Sequence, residues 1–420
     1  MPVLVATAAA AASLAAWAAL VALGVRTRRA MLTLDAGAPD APGAPPGVTA
    51  VVPCRDEAPA VEACVRSLLA QDLPGLRLVA VDDRSTDATG AILDRLARED
   101  ARLQVVHVTS LPAGWLGKNH ACAAGARRAR GEWILFTDGD VVFEPDALRR
   151  ALGVALGRGL GHLAVVPRFV APGFAERAFV TLFGALLSPA LGLWELPRAG
   201  TRAYFGIGAF NLVRRADYER AGGHARIAME VVDDVKLGLL LRRSGVPQGV
   251  ADAGGRVSVR WQRGFLPSVL GLVKNAFAAV EYRLGVAAGA FAGSVLLGAV
   301  PVAVVALGPG AVPRAVAGAA LAASFYHHGV SARRLARGSG AEGVLAPACT
   351  LVLGAVVLGS ALAARWRGAV VWRGTWYGLE AVRAGCLRAD DLPATGAAGW
   401  PPASDALRAR ADRAAWTRVR

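Results

Sequence analysis

The N-terminal segment contains an uncharged apolar run, Val3–Val25, which three arginines follow at once. At about 1.5 Å per residue, a helix of this length spans the roughly 30 Å core of a bilayer. A secretory signal would carry positive charge before the apolar run, whereas here Arg26, Arg28 and Arg29 come after it. We therefore expect a membrane-spanning helix over residues 1–30, with its N-terminus outside and its basic flank in the cytoplasm.

Three further uncharged runs occur in the second half of the chain, at Val286–Leu307, Ala315–Val330 and Val344–Ala364. They predict three more membrane-spanning helices within residues 285–364, and the basic loop Ser331–Arg337 belongs in the cytoplasm. Counting the spans places the C-terminus outside, whereas arginines directly after the last run favour the inside. The sequence leaves the side of the C-terminus open.

The 420-residue chain carries a net charge of +15 and is 54% hydrophobic, which agrees with a large membrane part. Its basic residues are dispersed and not interleaved with aromatic residues, so we expect no nucleic-acid partner. Cytoplasmic flanks that face anionic lipid account better for the positive charge. The five cysteines form no CxxC pair, which excludes a disulfide scaffold and a zinc ribbon.

Between the membrane segments, short apolar runs alternate with amphipathic stretches. The predicted strands are Thr49–Pro53, Leu76–Val81, Leu103–Val108 and Trp133–Thr137, and the predicted helices are Pro59–Ala70, Thr86–Arg98 and Asn119–Arg130. This order is typical of an α/β fold with a mostly parallel sheet covered on both faces. Ligands of such sheets bind at the carboxyl ends of the strands.

The apolar and polar stretches also predict a domain layout. A linker over residues 31–48 leads to a cytoplasmic domain over 49–265, an interfacial helix over 266–284 and, after the spans, a C-terminal tail over 365–420. Within the domain, Ala178–Trp194 is uncharged for 17 residues and is nearly long enough to cross a bilayer. Crossing would separate acidic residues on either side of it, so we interpret this stretch as lying in the membrane interface.

Carboxylates follow three of the four predicted strands. They are Asp56 and Glu57 after the first strand, Asp82 and Asp83 after the second, and Asp138 and Asp140 after the fourth. Two carboxylates one residue apart can hold a divalent cation such as Mg²⁺ or Mn²⁺, together with phosphate oxygens of a substrate. A solvated acidic turn is the alternative for Asp138 and Asp140, and their position after two other acidic strand ends favours a site. A carboxylate after the second strand can accept hydrogen bonds from a nucleobase or ribose, or simply belong to a turn.

Five motifs occur in order along this domain. They are PCRDE at 53–57, VDDRSTD at 81–87, GWLGKNHA at 114–121, TDGD at 137–140 and VDDVKL at 232–237. Their order and spacing resemble those of family-2 glycosyltransferases, and most nearly the membrane-bound bacterial members that include hopanoid-associated and carotenoid glycosyltransferases. Ceramide glucosyltransferase is a more distant relative. The resemblance covers about residues 48–285 and implies a GT-A nucleotide-sugar-binding domain plus transmembrane helices.

The resemblance also implies roles for individual residues. The implied donor-binding residues are Pro53, Arg55, Glu57, Asp82, Asp83, Lys118 and Asp138. Glu57 and Asp82 would contact the uracil or ribose, and Lys118 would lie near the diphosphate as a point charge. Asp138 and Asp140 would hold the diphosphate through the divalent cation. The implied sugar and acceptor pocket consists of Gly206, Gly208, Ala209, Phe210, Arg260, Trp261 and Arg263.

Asp234 matches the general base of this family, in an acidic pair that is normally Glu-Asp and is here Asp233-Asp234. An inverting transfer needs a carboxylate near the acceptor hydroxyl, to accept its proton while the anomeric carbon is attacked. The same pair would also favour the N-terminus of the following helix through the helix dipole, which is a purely structural role. The resemblance favours a catalytic role for Asp233 and Asp234.

Two alternatives differ in what the domain does. Processive polysaccharide synthases carry a QxxRW or RxxRW element, and here Val257 stands three residues before Arg260-Trp261, which disfavours processive synthesis. A non-catalytic nucleotide-sugar-binding membrane scaffold is disfavoured by the complete set of carboxylates. The sequence therefore predicts a multi-pass inner-membrane enzyme with a cytoplasmic catalytic domain. It would move a single sugar from a UDP-linked nucleotide-sugar to a lipid or lipid-linked acceptor. The interfacial stretches would bring the site to the bilayer surface, where the acceptor can reach it.

Overall fold

The computed structural model describes residues 1–34, 45–198, 200–372 and 374–391. The elements of its first part are α1 (Pro2–Ala30), β1 (Leu32–Thr33), β2 (Val48–Cys54), α2 (Val61–Leu69), β3 (Arg77–Asp83), α3 (Thr89–Glu99), β4 (Leu103–Val108), α4 (Gly117–Ala126), β5 (Trp133–Phe136), β6 (Val141–Phe143), α5 (Ala147–Gly157), β7 (His162–Val166), β8 (Arg168–Phe169), α6 (Phe174–Ala190), β9 (Asn211–Arg214), α7 (Arg215–Ala221), α8 (Asp233–Arg243), β10 (Gln248–Asp252), β11 (Val257–Val259) and α9 (Phe265–Ala279). The remaining elements are α10 (Leu284–Ser294), α11 (Val300–Leu307), α12 (Ala311–Ala336), α13 (Ala346–Arg367), β12 (Ala369–Trp372), β13 (Thr375–Gly378) and α14 (Leu379–Gly385).

The main sheet has eight strands in the order β1-β10-β7-β9-β5-β2-β3-β4. Its neighbours pair in parallel except at β9, which is antiparallel to both β5 and β7. The predicted α/β fold with a mostly parallel sheet is confirmed. All four predicted strands are present within two residues of their predicted ends.

The central strands are buried on both faces, which is why they appear in the sequence as continuous apolar runs. In β3, Leu78 and Ala80 belong to the core that contains α2, α3 and α5. Val79 and Val81, which alternate with them, belong to the core on the opposite face with Ala121 of α4. Helices therefore cover both faces of the sheet and leave the strand ends open for a site.

A second, three-stranded sheet has the order β6-β11-β8. Strand β6 begins directly after Asp140, and β11 ends directly before Arg260. The antiparallel pairing of β11 with β6 therefore brings the acidic turn and the segment that begins at Arg260 to the same end of the domain.

Helices occupy all four predicted membrane spans. Among the described residues, three helical segments are long and apolar enough to cross a membrane, namely Pro2–Ala30, Leu284–Leu307 and Ala341–Arg367. Four spans were predicted, whereas length and composition support three among the described residues. Helix α12, at the predicted span Ala315–Val330, falls short because Tyr326 and two neighbouring histidines reduce its apolar character.

The membrane helices are joined to one another and to the α/β domain by specific contacts. The indole Nε1 of Trp17 in α1 donates a 2.9 Å hydrogen bond to the carbonyl of Leu297, in the π-helical turn between α10 and α11. At the C-terminal end of α12, Arg334 forms a 2.7 Å ion pair with Asp252 of β10. This end of α12 therefore lies at the α/β domain.

Two predicted boundaries are corrected by the structure. Residues 32–33 of the predicted linker form β1, which adds to the sheet edge at β10, while residues 35–44 fall outside the described part of the chain. The predicted C-terminal tail contains the end of α13, the β12–β13 hairpin and α14, and residue 373 and residues 392–420 of it lie outside the described part of the chain. A local sequence pattern did not reveal these short elements because tertiary pairing defines them.

Candidate active site

A cavity of about 650 Å³ lies at the carboxyl ends of β2 and β5. Many residues singled out in the sequence line it together: Pro53, Arg55, Glu57, Asp83, Lys118, Asp138, Asp140, Arg260, Trp261 and Arg263. The cavity therefore joins residues that are more than 200 positions apart in the chain. Both signs of charge line it, as a site for a phosphate ligand and a cation requires.

The loop after β2 is held in place by the loop after β3. The backbone N–H of Asp56, a residue with φ of 54°, donates to Ser85 Oγ at 3.0 Å. The N–H of Glu57 donates to Thr89 Oγ1 at 2.8 Å, and Thr89 in turn donates to Asp87. Much of the VDDRSTD motif therefore positions the loop that carries Arg55 and Glu57.

Asp82 and Asp83 have different surroundings. The carboxylate of Asp82 accepts a hydrogen bond from the Ser85 N–H at 3.2 Å and lies 3.0 Å from His107 Nδ1, and it is not among the residues that line the cavity. Asp83 does line the cavity, and its two oxygens accept from Arg84 at 2.8 and 3.0 Å. The structure thus presents Asp83, rather than Asp82, to a ligand.

Lys118 stands in the first turn of α4, between two carboxylates. Its Nζ lies 2.7 Å from Asp138 Oδ1 and 3.4 Å from Asp233 Oδ1. Burial lowers the pKa of Lys118, but the charges of Asp138 and Asp233 outweigh this and hold the pKa well above its usual value. Lys118 is therefore a permanent positive charge between the acidic turn and the acidic pair.

Asn119, the neighbour of Lys118, is a buried residue that the sequence analysis missed. Its side-chain amide donates to the carbonyls of Ile227, Ala228 and Glu230 at 2.6, 3.1 and 2.9 Å. These carbonyls belong to the segment just before α8, so Asn119 fixes where that helix begins. Its place next to Lys118 in the third motif was the signal that could have found it.

The acidic pair opens α8. Asp234 Oδ2 accepts a 2.7 Å hydrogen bond from the backbone N–H of Gly208, and Oδ1 accepts one of 2.8 Å from Val235. Asp233 and Asp234 line a small space of about 10 Å³ that shares Lys118 with the main cavity. The candidate base therefore lies directly behind the wall that Lys118 forms.

Burial dominates the electrostatics of this pair. It raises the pKa of Asp234, an effect that the charge of Lys118 opposes. It also raises the pKa of Asp233 to about 7, again against Lys118 and with the help of Asp234. A carboxylate with a raised pKa is a better proton acceptor than an exposed one, as general-base chemistry requires.

Two predicted pocket glycines permit close approach to these carboxylates. A Cβ at Gly206 would lie 1.9 Å from the carbonyl oxygen of Asp234, and a Cβ at Gly208 would lie 2.3 Å from Asp138 Oδ2. Any side chain at these positions would displace the backbone of α8 or the acidic turn. The glycines thus set how tightly the loop before β9 packs against the site.

Ala209 and Phe210, also predicted for this pocket, do not line it. Both are buried, and Phe210 packs in the main core below the site. The carbonyl of Ala209 accepts a 2.8 Å hydrogen bond from Thr137 Oγ1, which ties the loop to the acidic turn. Their role in the structure is to support the site from below.

The acidic turn has the donor set for a hard divalent cation. Burial, followed by the charges of Asp138 and Glu57, raises the pKa of Asp140 to about 7. The negative charges of Asp138, Asp140 and Glu57 repel one another in the cavity, and a bound cation would reduce this repulsion. Oxygen ligands of this kind suit Mg²⁺ or Mn²⁺, so the residues fit the cation that the sequence predicts.

A second group of possible ligands lies deeper, where atoms of Cys122, His224 and Asp233 are within 4.8 Å of one another. Lys118 Nζ is already 3.4 Å from Asp233 there. A metal ion at this place would be repelled by the ammonium group. We therefore regard this group as part of the polar packing around Lys118.

The cavity is also lined by residues that lie far from every predicted motif, namely Lys274 of α9, Trp372 of β12 and Tyr377 of β13. Lys274 is one of only three lysines in the chain, and this rarity was a usable signal. Trp372 and Tyr377 follow the last apolar helix and belong to no recognised motif.

Helices α6 and α9 border the cavity with aromatic contacts. Trp261 stacks on Phe183 of α6, with ring centroids 5.6 Å apart and an interplanar angle of 17°. Phe179 of α6 contacts Phe265 of α9 edge-on at 5.7 Å. Helix α9 thus lines one side of the cavity, and α6 packs behind the lining residue Trp261.

The mostly parallel α/β sheet, with an acidic turn and a lysine at its strand ends, fits the class of nucleotide-sugar-dependent transferases. Residues 49–220 match the family model described as Glycosyl transferase family 2. This segment, which contains the first four motifs, is accordingly similar to glycosyl transferase family 2, the family that the motifs resemble.

Relatives of known name are glycosyltransferases. An N-acetylglucosaminyltransferase of Mesorhizobium japonicum is 33% identical over 36% of this chain and 38% of its own length. The 4,4'-diaponeurosporenoate glycosyltransferase of Staphylococcus haemolyticus is 24% identical over 54% and 60%. The β-monoglucosyldiacylglycerol synthase of Synechocystis is 30% identical over 42% and 35%. The chain thus spans between about a third and three fifths of these relatives.

A solved structure supports the fold. The mannosyltransferase PcManGT from Pyrobaculum calidifontis, in complex with GDP-Man and Mn²⁺, superposes with a TM-score of 0.53 at 21% identity. The match covers 86% of this chain and 99% of that protein.

Proposed function

We propose that the protein is a membrane-bound inverting glycosyltransferase that moves a single sugar from a UDP-sugar to a lipid or lipid-linked acceptor. The reaction takes place at the cytoplasmic face of the inner membrane. The observation that carries this proposal is the arrangement of Lys118 between Asp138 of the cavity and the acidic pair Asp233–Asp234. The Lys118 ammonium group thus lies between Asp138, where the diphosphate would depart, and the acidic pair, which contains the proposed base.

The lipid acceptor is supported by the surroundings of the cavity. Pro267 and Lys274 of α9 line the cavity, whereas Leu266 and Leu270 of the same helix are 61% and 60% exposed. A helix with one side in the site and large apolar side chains outside suits the membrane interface. Two relatives are named for diaponeurosporenoate and for a diacylglycerol glycolipid, which agrees with an apolar acceptor.

In the proposed mechanism Asp234 accepts the proton of the acceptor hydroxyl. The hydroxyl oxygen forms its bond to the anomeric carbon as the bond from that carbon to the nucleoside diphosphate breaks, so the configuration inverts. The Gly208 N–H holds the Asp234 carboxylate in one orientation throughout. Because Asp234 is buried, its proton affinity is higher than that of an exposed carboxylate.

The charges at the other side of the cavity act on the leaving group. Asp138 and Asp140 would hold the divalent cation, which would neutralise the charge that develops on the departing diphosphate. Lys118 adds a positive charge next to Asp138 and remains protonated. When a phosphate of the donor pairs with the Lys118 ammonium group, Asp138 would lose its ion pair with Lys118 and could then bind the divalent cation.

The proposal is tested by incubating membranes that contain the protein with a panel of radiolabelled nucleotide-sugars and a lipid extract. Membranes that contain Asp234→Asn serve as the matched control. We expect label from a UDP-sugar in a small organic-soluble product, only with the unaltered protein. Label that appears only in high polymer would support a processive synthase instead, and nucleotide binding without turnover would support a scaffold.

A further inference from the structure

One wall of the cavity comes from residues beyond the family-matched segment. Lys274 lies on α9, and Trp372 and Tyr377 lie on the hairpin that follows α13. The Nζ of Lys274 stands 4.8 Å from the centroid of the Trp372 indole, which is a cation–π contact. The indole thus holds the ammonium group at the cavity.

Trp372 has a polar atom that the protein leaves without a partner. Its indole Nε1 is buried and finds no hydrogen-bond acceptor among the described residues. Buried indole N–H groups usually have an acceptor, and leaving such a group without one is unfavourable. Because Trp372 lines the cavity, an oxygen atom of a bound ligand is a suitable acceptor.

The segment that follows the hairpin and α14 is attached to α8. Lys236 of α8 forms a 2.8 Å ion pair with Glu281 and also donates to the carbonyl of Leu387. Glu281 accepts a further hydrogen bond of 2.8 Å from the N–H of Ala389. The segment after the hairpin is thus tied to the helix that begins with the acidic pair.

We propose that Lys274 is a phosphate-binding residue of the nucleoside diphosphate donor, positioned by Trp372, whose indole N–H binds an oxygen of the same ligand. The inference deepens the proposed function and rests on it. A point-charge ammonium and an N–H donor suit an anionic oxygen, and Arg260 and Arg263 line the same cavity. The hairpin of residues 369–378 is then part of the donor site, although it follows the last apolar helix.

The test uses the full chain in lipid nanodiscs and measures binding of UDP and GDP with Mn²⁺, with uridine and guanosine as phosphate-free probes. Lys274→Met is expected to weaken binding of the preferred diphosphate at least about tenfold, the loss of one charge-assisted contact, and to leave nucleoside binding unchanged. Lys274→Arg retains the charge and should restore most of the affinity. Trp372→Phe keeps an aromatic face without the N–H and should weaken diphosphate binding by a smaller factor.

Trp376→Phe is the matched control, since Trp376 lies on the same hairpin, is 64% exposed and does not line the cavity. It should leave diphosphate binding unchanged, which separates a general disturbance of the hairpin from loss of the contact. Unchanged diphosphate affinity in Lys274→Met overturns the inference. If the KM for a lipid acceptor rises while the diphosphate affinity stays unchanged, the inference is overturned as well, because Lys274 would then contact the acceptor. Failure of the unaltered protein to bind either diphosphate would overturn the proposed function itself.

Discussion

The backbone N–H of Gly208 donates a 2.7 Å hydrogen bond to Oδ2 of Asp234, from a loop that also presses against Asp138. The carbonyl of the same glycine accepts a 3.0 Å hydrogen bond from the N–H of Asp138. One residue therefore sets the spacing between the candidate base and the candidate cation ligand. This spacing must match the distance between the attacking hydroxyl and the leaving diphosphate.

Gly208→Ala should lower kcat by about a hundredfold, because small misplacements of reacting groups have costs of this order. The new Cβ would lie 2.3 Å from Asp138 Oδ2, so the carboxylate must move. Gly289→Ala in α10 is the control, since no atom lies within 4 Å of a Cβ there. Steady-state kinetics of both variants decide the matter, and equal activity would mean that the spacing is unimportant.

The rate of transfer should fall at low pH through a pKa above that of an ordinary aspartate. Asp234 must be ionised to accept a proton. Because burial raises its pKa, Asp234 becomes protonated, and activity is lost, at a higher pH than for an exposed aspartate as the pH falls. Lys118 opposes this rise, and Lys118→Met should therefore move the acidic limb of kcat/KM to higher pH. A limb that stays in place or moves to lower pH would contradict the assignment of Asp234 as the base.

Donor binding should depend on a divalent cation through the acidic turn. The double variant Asp138→Ala, Asp140→Ala should lose the increase in UDP affinity that Mn²⁺ produces, and chelation should have the same effect on the unaltered protein. Asp72→Ala, which removes a carboxylate paired with Arg149 away from the cavity, is the matched control. Isothermal titration with and without Mn²⁺ measures the effect, and an unchanged Mn²⁺ dependence in the double variant would contradict the cation site.

The C-terminus should lie on the same side of the membrane as the α/β domain. Trp372 and Tyr377 line the cavity with Lys118, so an even number of crossings must separate the domain from the hairpin. Arg334 pairs with Asp252, so α12 ends at the domain. We therefore expect α10–α11 and α12 to cross as a pair, although the hydropathy of α12 alone falls short of a span, and α13 to lie against the domain, although its hydropathy would permit crossing.

Fusions of alkaline phosphatase at the turn of residues 308–310 and at the C-terminus test this topology. The enzyme folds only outside the cytoplasm, so we expect activity at the turn and none at the C-terminus. Activity of the C-terminal fusion would instead support the outward C-terminus that follows from counting four spans.

The sheet could be predicted because of how it is buried. Strands covered on both faces, such as Val48–Cys54, are short apolar runs that polar residues follow, and the ligand-binding ends follow from that pattern. The acidic turn was found for the same reason, whereas Lys118 was found through the resemblance of its motif. The choice between Asp82 and Asp83 could not be made, because it depends on the His107 and Ser85 contacts of Asp82 from elsewhere in the fold.

The wall formed by Lys274, Trp372 and Tyr377 could not be predicted either. Its residues reach the site only because α9 and the hairpin pack against the domain across long sequence separations. Whether α12 and α13 cross the membrane could not be predicted for the same reason, since hydropathy describes a helix alone and not the ion pairs at its ends. Local patterns therefore revealed the side of the cavity that carries the motifs and missed the side built from α9 and the hairpin.

The most direct test of the account is the Asp234→Asn variant, measured for both UDP-sugar transfer and UDP binding. The amide retains an oxygen that can accept the Gly208 N–H, so the site should keep its shape while it loses the base. We expect transfer to fall by about 10²–10⁴-fold, with UDP affinity within about threefold of the unaltered protein. Transfer that persists at a comparable rate would contradict the central claim that Asp234 accepts the proton of the acceptor.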